Sequence, residues 1–226
     1  MRKYYEAYEE RYKVIHETGE LWFTALPSQE VVDWVKRKNI SFEESICEVG
    51  CGEGRDAINL ALKGFQVTGV DISEQALKKC REIASEKGAK VTWLQANATI
   101  EISKKYDWVY SMATLHMLVE DHDRQAFLNS LYKMLSKKGH LLLVTKGDGK
   151  FEMKTDIKTA FDLQERTHMK TGTALQVAGT SYRAMNWKNH LMELDQAGFT
   201  VEHYEVTDNP DYGECMAVYL RRNDHE

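Results

Sequence analysis

Residues 45–56 read SICEVGCGEGRD. An apolar run ending at Val49 is broken by glycines at 50, 52 and 54, with an acid, Glu48, two places before the first. Glycine weakens the interior of a strand or helix, so three within five residues mark backbone that must turn tightly and fit closely against something. The pattern predicts a strand at about 45–50, a glycine turn, and a helix over about 54–63.

Outward from this turn, short apolar runs and amphipathic segments alternate. Strands are expected at about 66–71, 90–95, 106–111 and 139–146, and helices at about 73–87 and 122–136, with Gly64, Gly88 and Gly139 placed as helix C-caps. Strands and helices taking turns over a hundred residues imply parallel strands joined by right-handed crossovers, a doubly wound α/β sheet. Ahead of it, Tyr5, Tyr8, Tyr12 and Ile15 stand at helical spacing, and Ser28 is placed to cap a second helix with Val31, Val32 and Val35 facing a core. Residues 150–185 carry no clean period and are expected to form an inserted cap with short elements of their own. A helix capped by Asn186 and a hairpin from runs at 200–206 and 214–220 complete a single domain over 1–226.

The 226 residues suffice for one well-buried core. A net charge of -5 with no concentrated basic face argues against a nucleic-acid partner. No apolar run approaches the roughly 20 residues of a membrane span, and the charged N-terminus lacks the core of a signal peptide, so a cytoplasmic location is expected. Cys47, Cys51, Cys80 and Cys215 form no C-x-x-C pair, so neither a metal site nor a disulfide framework is signalled.

Ligands of open parallel sheets sit beyond the carboxyl ends of the strands, which is where the glycine turn falls. Gly52-x-Gly54-x-x-Ala57 formally matches a dinucleotide fingerprint, the mark of an NAD(P)-dependent oxidoreductase. Gly50 fits the position directly after the strand better, and from Gly50 the third fingerprint place falls on Arg55, too bulky for close packing. The dinucleotide reading is thereby weakened.

Taken in order, the motifs resemble those of the class I S-adenosylmethionine-dependent methyltransferases. ICEVGCGEG is similar to their first motif, VTGVDIS at 67–73 to the second, and QANA at 95–98 to the adenine-contacting segment. YDWVYSMATLHML at 106–118 resembles the fourth-strand motif, and LYKMLSKKGHLLLV at 131–144 the helix, glycine turn and fifth strand. The flanking helix and GCGEGRDA look nearest to small-molecule enzymes of the thiopurine and tellurite-resistance type. The resemblance implies a Rossmann-like, mostly parallel seven-stranded sheet with a C-terminal antiparallel hairpin. An N-terminal helical lid (1–40), a cofactor core (45–146) and a cap after strand five (150–185) would complete it.

It also implies S-adenosyl-L-methionine as methyl donor. Asp71 would accept the ribose hydroxyls, with Ser73 left to cap the helix that follows. Ile72 would pack on the adenine, and Asn97, through its amide oxygen, and Ala98 would meet its polar edge. Gly50, Cys51, Gly52 and Gly54 would line the methionyl part, faced by Ser111 and Met112. Glu48 would organise the loop or take the cofactor's amino group, and Arg55 would read its carboxylate. Tyr12 and Trp22, with Phe23, are expected to close over the cofactor as an aromatic lid.

Alignment of an acceptor with an activated methyl accounts for most of such a reaction, and a base is needed only for an acceptor protonated at neutral pH. His116, just past strand four, is the candidate catalytic base, with His168 in the cap a weaker one. Tyr8, His116, Phe151, His168, Tyr182 and Arg183, together with Phe161, Met169 and Trp187, are expected around a small-molecule acceptor. A non-catalytic S-adenosylmethionine-binding protein is the remaining alternative, and monomer and homodimer both stay open.

Overall fold

The apolar runs and their glycine breaks generate a seven-stranded sheet in a computed structural model, which describes residues 2–22, 26–100, 102–167 and 171–223. A single 3-10 turn leads into α1 (Ala7–Glu17), followed by α2 (Gln29–Lys38). Then come β1 (Ser45–Val49), α3 (Arg55–Leu62), β2 (Gln66–Asp71), α4 (Glu74–Lys87), β3 (Val91–Gln95), β4 (Tyr106–Met112), α5 (Asp121–Met134) and β5 (Leu135–Lys146). The insert supplies β6 (Met153–Lys154), β7 (Leu163–Thr167), β8 (Ala174–Ala178) and β9 (Arg183–Ala184). The chain closes with α6 (Trp187–Gln196), β10 (Phe199–Asn209) and β11 (Gly213–Arg222).

The strand order is β10-β11-β5-β4-β1-β2-β3. β1 runs parallel to both β2 and β4, while β11 joins β5 antiparallel. The chain builds outward from β1 through β2 to β3, then returns to the other side of β1 with β4, so the order reverses at the end of β1. A crevice opens at such a reversal because the two connections leave in opposite directions. The glycine turn occupies it.

Both faces of the sheet are covered, which explains the uninterrupted apolar run of β5. Leu141 and Leu143 join Leu131 and Phe127 of α5 in one core layer, while Leu142 and Val144 join Trp34 of α2 and Leu60 of α3 in the other. Trp34 anchors the second layer edge-on to Trp108 and Tyr110, at ring separations of 5.5 and 6.1 Å. It, rather than Val32 or Val35, is fully buried beside Val31.

Two local expectations are corrected. Gly139 does not cap a helix: α5 stops at Met134 and β5 starts four residues earlier than expected, because Leu135 is buried and pairs with Tyr106 across a register shift. Ser28 precedes α2 but makes no side-chain cap, its hydroxyl and N–H both donating instead to Asp56, at 2.8 and 2.6 Å. The 150–185 segment forms two small separate ladders, β6 with β9 and β7 with β8, at the C-terminal end of β5.

A buried ion pair fixes the turn that follows β4. Arg124 on α5 donates through Nη1 to the carbonyls of Leu115 and Leu118, at 2.8 and 3.1 Å, and grips Glu193 of α6 with Nε and Nη2. Burial would raise the Glu193 carboxyl, but His190 and Arg124 outweigh it and hold the group at about 2. Removing one partner of such a pair leaves a buried charge uncompensated, so Arg124→Met is expected to cost about 3–5 kcal/mol in urea unfolding. Arg81→Ala, which breaks an ion pair to Glu74 exposed on both sides, is expected to cost less than about 1 kcal/mol.

Candidate functional site

The three glycines of the opening stretch each answer to a different neighbour. All have positive φ, at 77°, 52° and 74°. A Cβ on Gly50 would stand 2.1 Å from Thr114 Oγ1, and one on Gly54 would stand 2.6 Å from the Trp93 ring and 2.8 Å from Cys80 Sγ. One on Gly52 would meet the Tyr12 hydroxyl at 2.6 Å, so the N-terminal helix lies directly on the loop.

Two connected cavities flank this loop and share Tyr12, Gly50 and Met117. The first is lined by Tyr5, Tyr8, Asp71, Ile72, Asn97, Ala98, Leu118 and Phe127 among others. The second lies against Glu48, Cys51, Gly52, Arg55, Met112 and Tyr212. A third and larger one, of about 600 Å³, joins the first at Tyr8 and Met117 and the second at Met117 and Tyr212. Met117 therefore stands where all three meet. Sequence reasoning did not single it out, although it falls within the 106–118 motif, since one methionine in a short 3-10 turn carries no period of its own.

The acids of the loop are held by backbone. Asp71 accepts the N–H of Gly52 at 2.8 Å and that of Ser73 at 2.9 Å, and burial raises its carboxyl against those bonds. A carboxylate offers about four acceptor positions, more than these bonds occupy, and Asp71 lines the first cavity. Ser73 caps α4 as expected, accepting from the Ala76 N–H. Glu48 is buried and accepts the Ala57 N–H at 2.9 Å and the Tyr110 hydroxyl at 3.1 Å, which ties β1 to the first turn of α3. Burial, with Asp56 nearby, pushes its carboxyl well up.

Several expected residues sit elsewhere or in a different state. Asn97 lines the first cavity, but its oxygen already accepts the N–H and hydroxyl of Thr99, at 2.9 and 2.8 Å. Both lone pairs are taken, so the side chain has donors to offer instead. Ser111 is fully buried, its hydroxyl donating to the Val49 carbonyl at 2.8 Å, and it lines none of these cavities. Arg55 is not a surface residue: it pairs with Asp211 of the β10–β11 turn and donates to Ser28 Oγ. Trp22 lines the large cavity and touches the loop through its backbone, its N–H donating to Glu53 at 2.8 Å.

Around the large cavity, His116, Phe151, Tyr182 and Tyr8 are brought together as expected. Arg183 is not: it donates to the Val119 carbonyl and to Asp121. Phe161 stacks under Arg2, and Trp187 packs against Tyr204. His168, Met169 and Phe23 lie outside the described residues. The cations that do line the cavity are Arg11, Lys146 and Arg166. Arg11 also locks α1 to the insert, with donors on the carbonyls of Ala178 and Gly179. Glu53, likewise missed, pairs with His16 and accepts the Trp22 N–H.

His116 is buried against Tyr182, at a ring separation of 5.6 Å, and its Nδ1 has no hydrogen-bond partner among the described residues. Burial, with Lys146 and Arg124 adding to it, lowers the imidazole to about 3. A group at that value is neutral throughout the physiological range and is a poor proton acceptor, which speaks against its expected part as a general base.

Residues 46–139 match the family model described as a methyltransferase domain. With the reversal crevice, the glycine loop and the strand-end acid Asp71, this decides the family. The chain carries a class I S-adenosylmethionine-dependent methyltransferase domain. The methyl donor is S-adenosylmethionine. EEF1A lysine methyltransferase 2 of Danio rerio is 27% identical over 78% of this chain and 80% of its own. A ubiquinone biosynthesis O-methyltransferase of Vibrio cholerae is 31% identical over 49% of this chain and 45% of its own. In fold, the chain is similar to the Burkholderia thailandensis 1,6-didemethyltoxoflavin-N1-methyltransferase solved with 1,6-didemethyltoxoflavin and S-adenosylhomocysteine. The TM-score is 0.72 at 15% identity, over 98% of this methyltransferase and 89% of that chain. No helix among the described residues is long and apolar enough to cross a membrane.

The neutral state of His116 has a consequence for folding. Its folded value of about 3 lies below the ordinary 6.5, so the unfolded chain takes up the proton first and stability falls as pH drops from 6.5 toward 3. His116→Phe is expected to flatten that loss, by about 1.4 kcal/mol per pH unit, in urea titrations across this range.

Proposed function

We propose that this methyltransferase acts on a small-molecule acceptor by direct displacement. The observation that carries the reading is the cavity of about 600 Å³ beside the glycine loop, joined to both loop cavities at Met117. That size is typical of small-molecule sites, and α1 and the insert contribute walls to it.

The residues present suit the cofactor. Gly50 lines both loop cavities with backbone alone, Gly52 lines the second, and Asp71 lines the first. Asp71 would hold the ribose hydroxyls, Ile72, Ala98 and Phe127 the adenine, and the walls near Gly50, Cys51 and Met112 the methionyl part. The bound sulfonium supplies an activated methyl group. What remains for the protein is to bind the acceptor in line, exclude water and tolerate the charge that disappears from the sulfur. Tyr8 and Met117 line both donor and acceptor cavities and would set that alignment, with Tyr12 between the two loop cavities. Neutral His116 would serve as a hydrogen-bond acceptor and as a wall of the pocket.

A second reading, transfer to a protein lysine, has the lysine methyltransferase relatives in its favour. The two are separated by incubating the enzyme with radiolabelled S-adenosylmethionine and fractionated cell extract. Label in the low-molecular-weight fraction is expected; label confined to protein would overturn the small-molecule reading.

Two variants report on the parts assigned. Asp71→Ala is expected to weaken S-adenosylhomocysteine binding in calorimetry by about 10- to 150-fold, the equivalent of a charge-assisted hydrogen bond worth roughly 1.5–3 kcal/mol. His116→Asn is expected to lower kcat less than about tenfold, whereas loss of a general base costs roughly 10²–10⁴-fold. The kcat/KM profile of the unaltered enzyme should show no limb near pH 6.5 from this histidine.

A further inference from the structure

The charges around the large cavity are uneven. Arg11 of α1, Lys146 at the end of β5 and Arg166 of β7 line it, and the only acid among its described lining residues is Asp211. Asp211 is ion-paired with Arg55, so it does not balance the three cations. Their own partners are uncharged. Arg11 donates to the carbonyls of Ala178 and Gly179, Arg166 donates to the Gln164 side-chain oxygen at 3.1 Å, and Lys146 lies 6.0 Å over the Tyr182 ring. The cavity is open to solvent on the side of Phe151, Gln164 and Arg166, and an open cleft with excess positive charge still attracts anions and repels ammonium groups, by an amount that salt screens. Flat apolar surface is also present, in Tyr8, Trp22 and Tyr182.

Resting on the small-molecule reading above, we propose that the acceptor is an aromatic carboxylate. Its negative group is drawn to Lys146 and Arg166, and its ring lies against Tyr8, Trp22 and Tyr182. The donors of Arg11 on Nε and Nη2 are taken by backbone, so Arg11 contributes charge more than a fork for the ligand. Lys146 sits on the strand next to β4, beside the turn that carries His116 and Met117, so an anion held there would have its ring close to the junction with the loop cavities. A protonated lysine or amine entering the same space would meet like charge with no free carboxylate among the described lining residues to receive it.

The test is calorimetry on the full chain, with and without saturating S-adenosylhomocysteine, using three matched probes: 4-hydroxycinnamate, its amide, and tyramine. The carboxylate is expected to bind at least about tenfold more tightly than the amide, with tyramine weakest. The preference should shrink when salt is raised to about 0.3 M, and in Lys146→Met and Arg166→Gln measured separately. Equal binding of acid and amide, a preference for tyramine, a preference that survives in both variants, or no binding of any probe at millimolar concentration would each overturn the proposal. Failure of S-adenosylhomocysteine to bind would instead sink the small-molecule methyltransferase reading, while the titration without cofactor still reads the charge preference. Methyl transfer to neutral or cationic small molecules alone would leave that reading standing and remove this one.

Discussion

The close approach of Gly50 to Thr114 is the constraint from which the site follows. β1 and β4 are neighbours at the reversal of strand order, and their outgoing chains must separate to open a crevice. They do so while almost touching: a single methyl on Gly50 would occupy the place of the threonine hydroxyl. On the β4 side the turn is made by Ala113 at a φ of 53°, a left-handed conformation that costs a non-glycine residue roughly 1–2 kcal/mol. Its N–H is held by the Val144 carbonyl at 2.8 Å, so the neighbouring strand supports the strain. The chain is thereby swung back over the loop, and the Leu115–Leu118 turn brings Met117 to the junction of the three cavities.

The N-terminal helix is placed against this crevice by polar ties that reach three different parts of the molecule. Glu9 accepts from Ser73 and Gln75 at the start of α4, Arg11 holds the end of β8, and His16 pairs with Glu53 in the glycine loop. Buried charge earns little net stability because desolvation offsets the attraction. Register is a different matter. Sliding α1 by one turn would break all three polar ties at once, so Tyr5, Tyr8 and Tyr12 are held over the cavities they line.

The sheet was legible because parallel strands buried on both faces write themselves as apolar runs between glycines. β1, β2 and β3 fall within a residue of their expected bounds, and the reversal point follows from their order. Gly139 misled because a glycine after a helix looks the same in sequence whether it caps the helix or lies in a strand that has already begun. At the site, residues whose parts are set by backbone, such as the glycines and Ser73, were readable. Those whose parts are set by distant partners were not. Arg183 and Arg11 are both arginines near aromatics, yet only the fold decides that one is drawn to Asp121 and the other faces the cavity. Asn97 could be placed, but the neighbour that occupies its oxygen is Thr99, and a two-residue turn leaves no pattern.

The cations of the large cavity and the neutrality of His116 belong to one electrostatic argument. Lys146 helps to keep the proton off the imidazole, and for the same reason it would favour loss of a proton from any hydroxyl acceptor placed beside it. A positive field lowers the acceptor's own pKa, so that its proton can pass to solvent before transfer rather than to a side chain. Transfer from a sulfonium to an anionic atom cancels one positive and one negative charge together, so the cations act on binding and on the acceptor's ionisation rather than on the transfer itself. The missing acid near the acceptor is then not a gap in the machinery. An unpaired aspartate beside Lys146 would offset its charge, raise the acceptor's pKa and shift the preference of the proposed site from carboxylates toward amines.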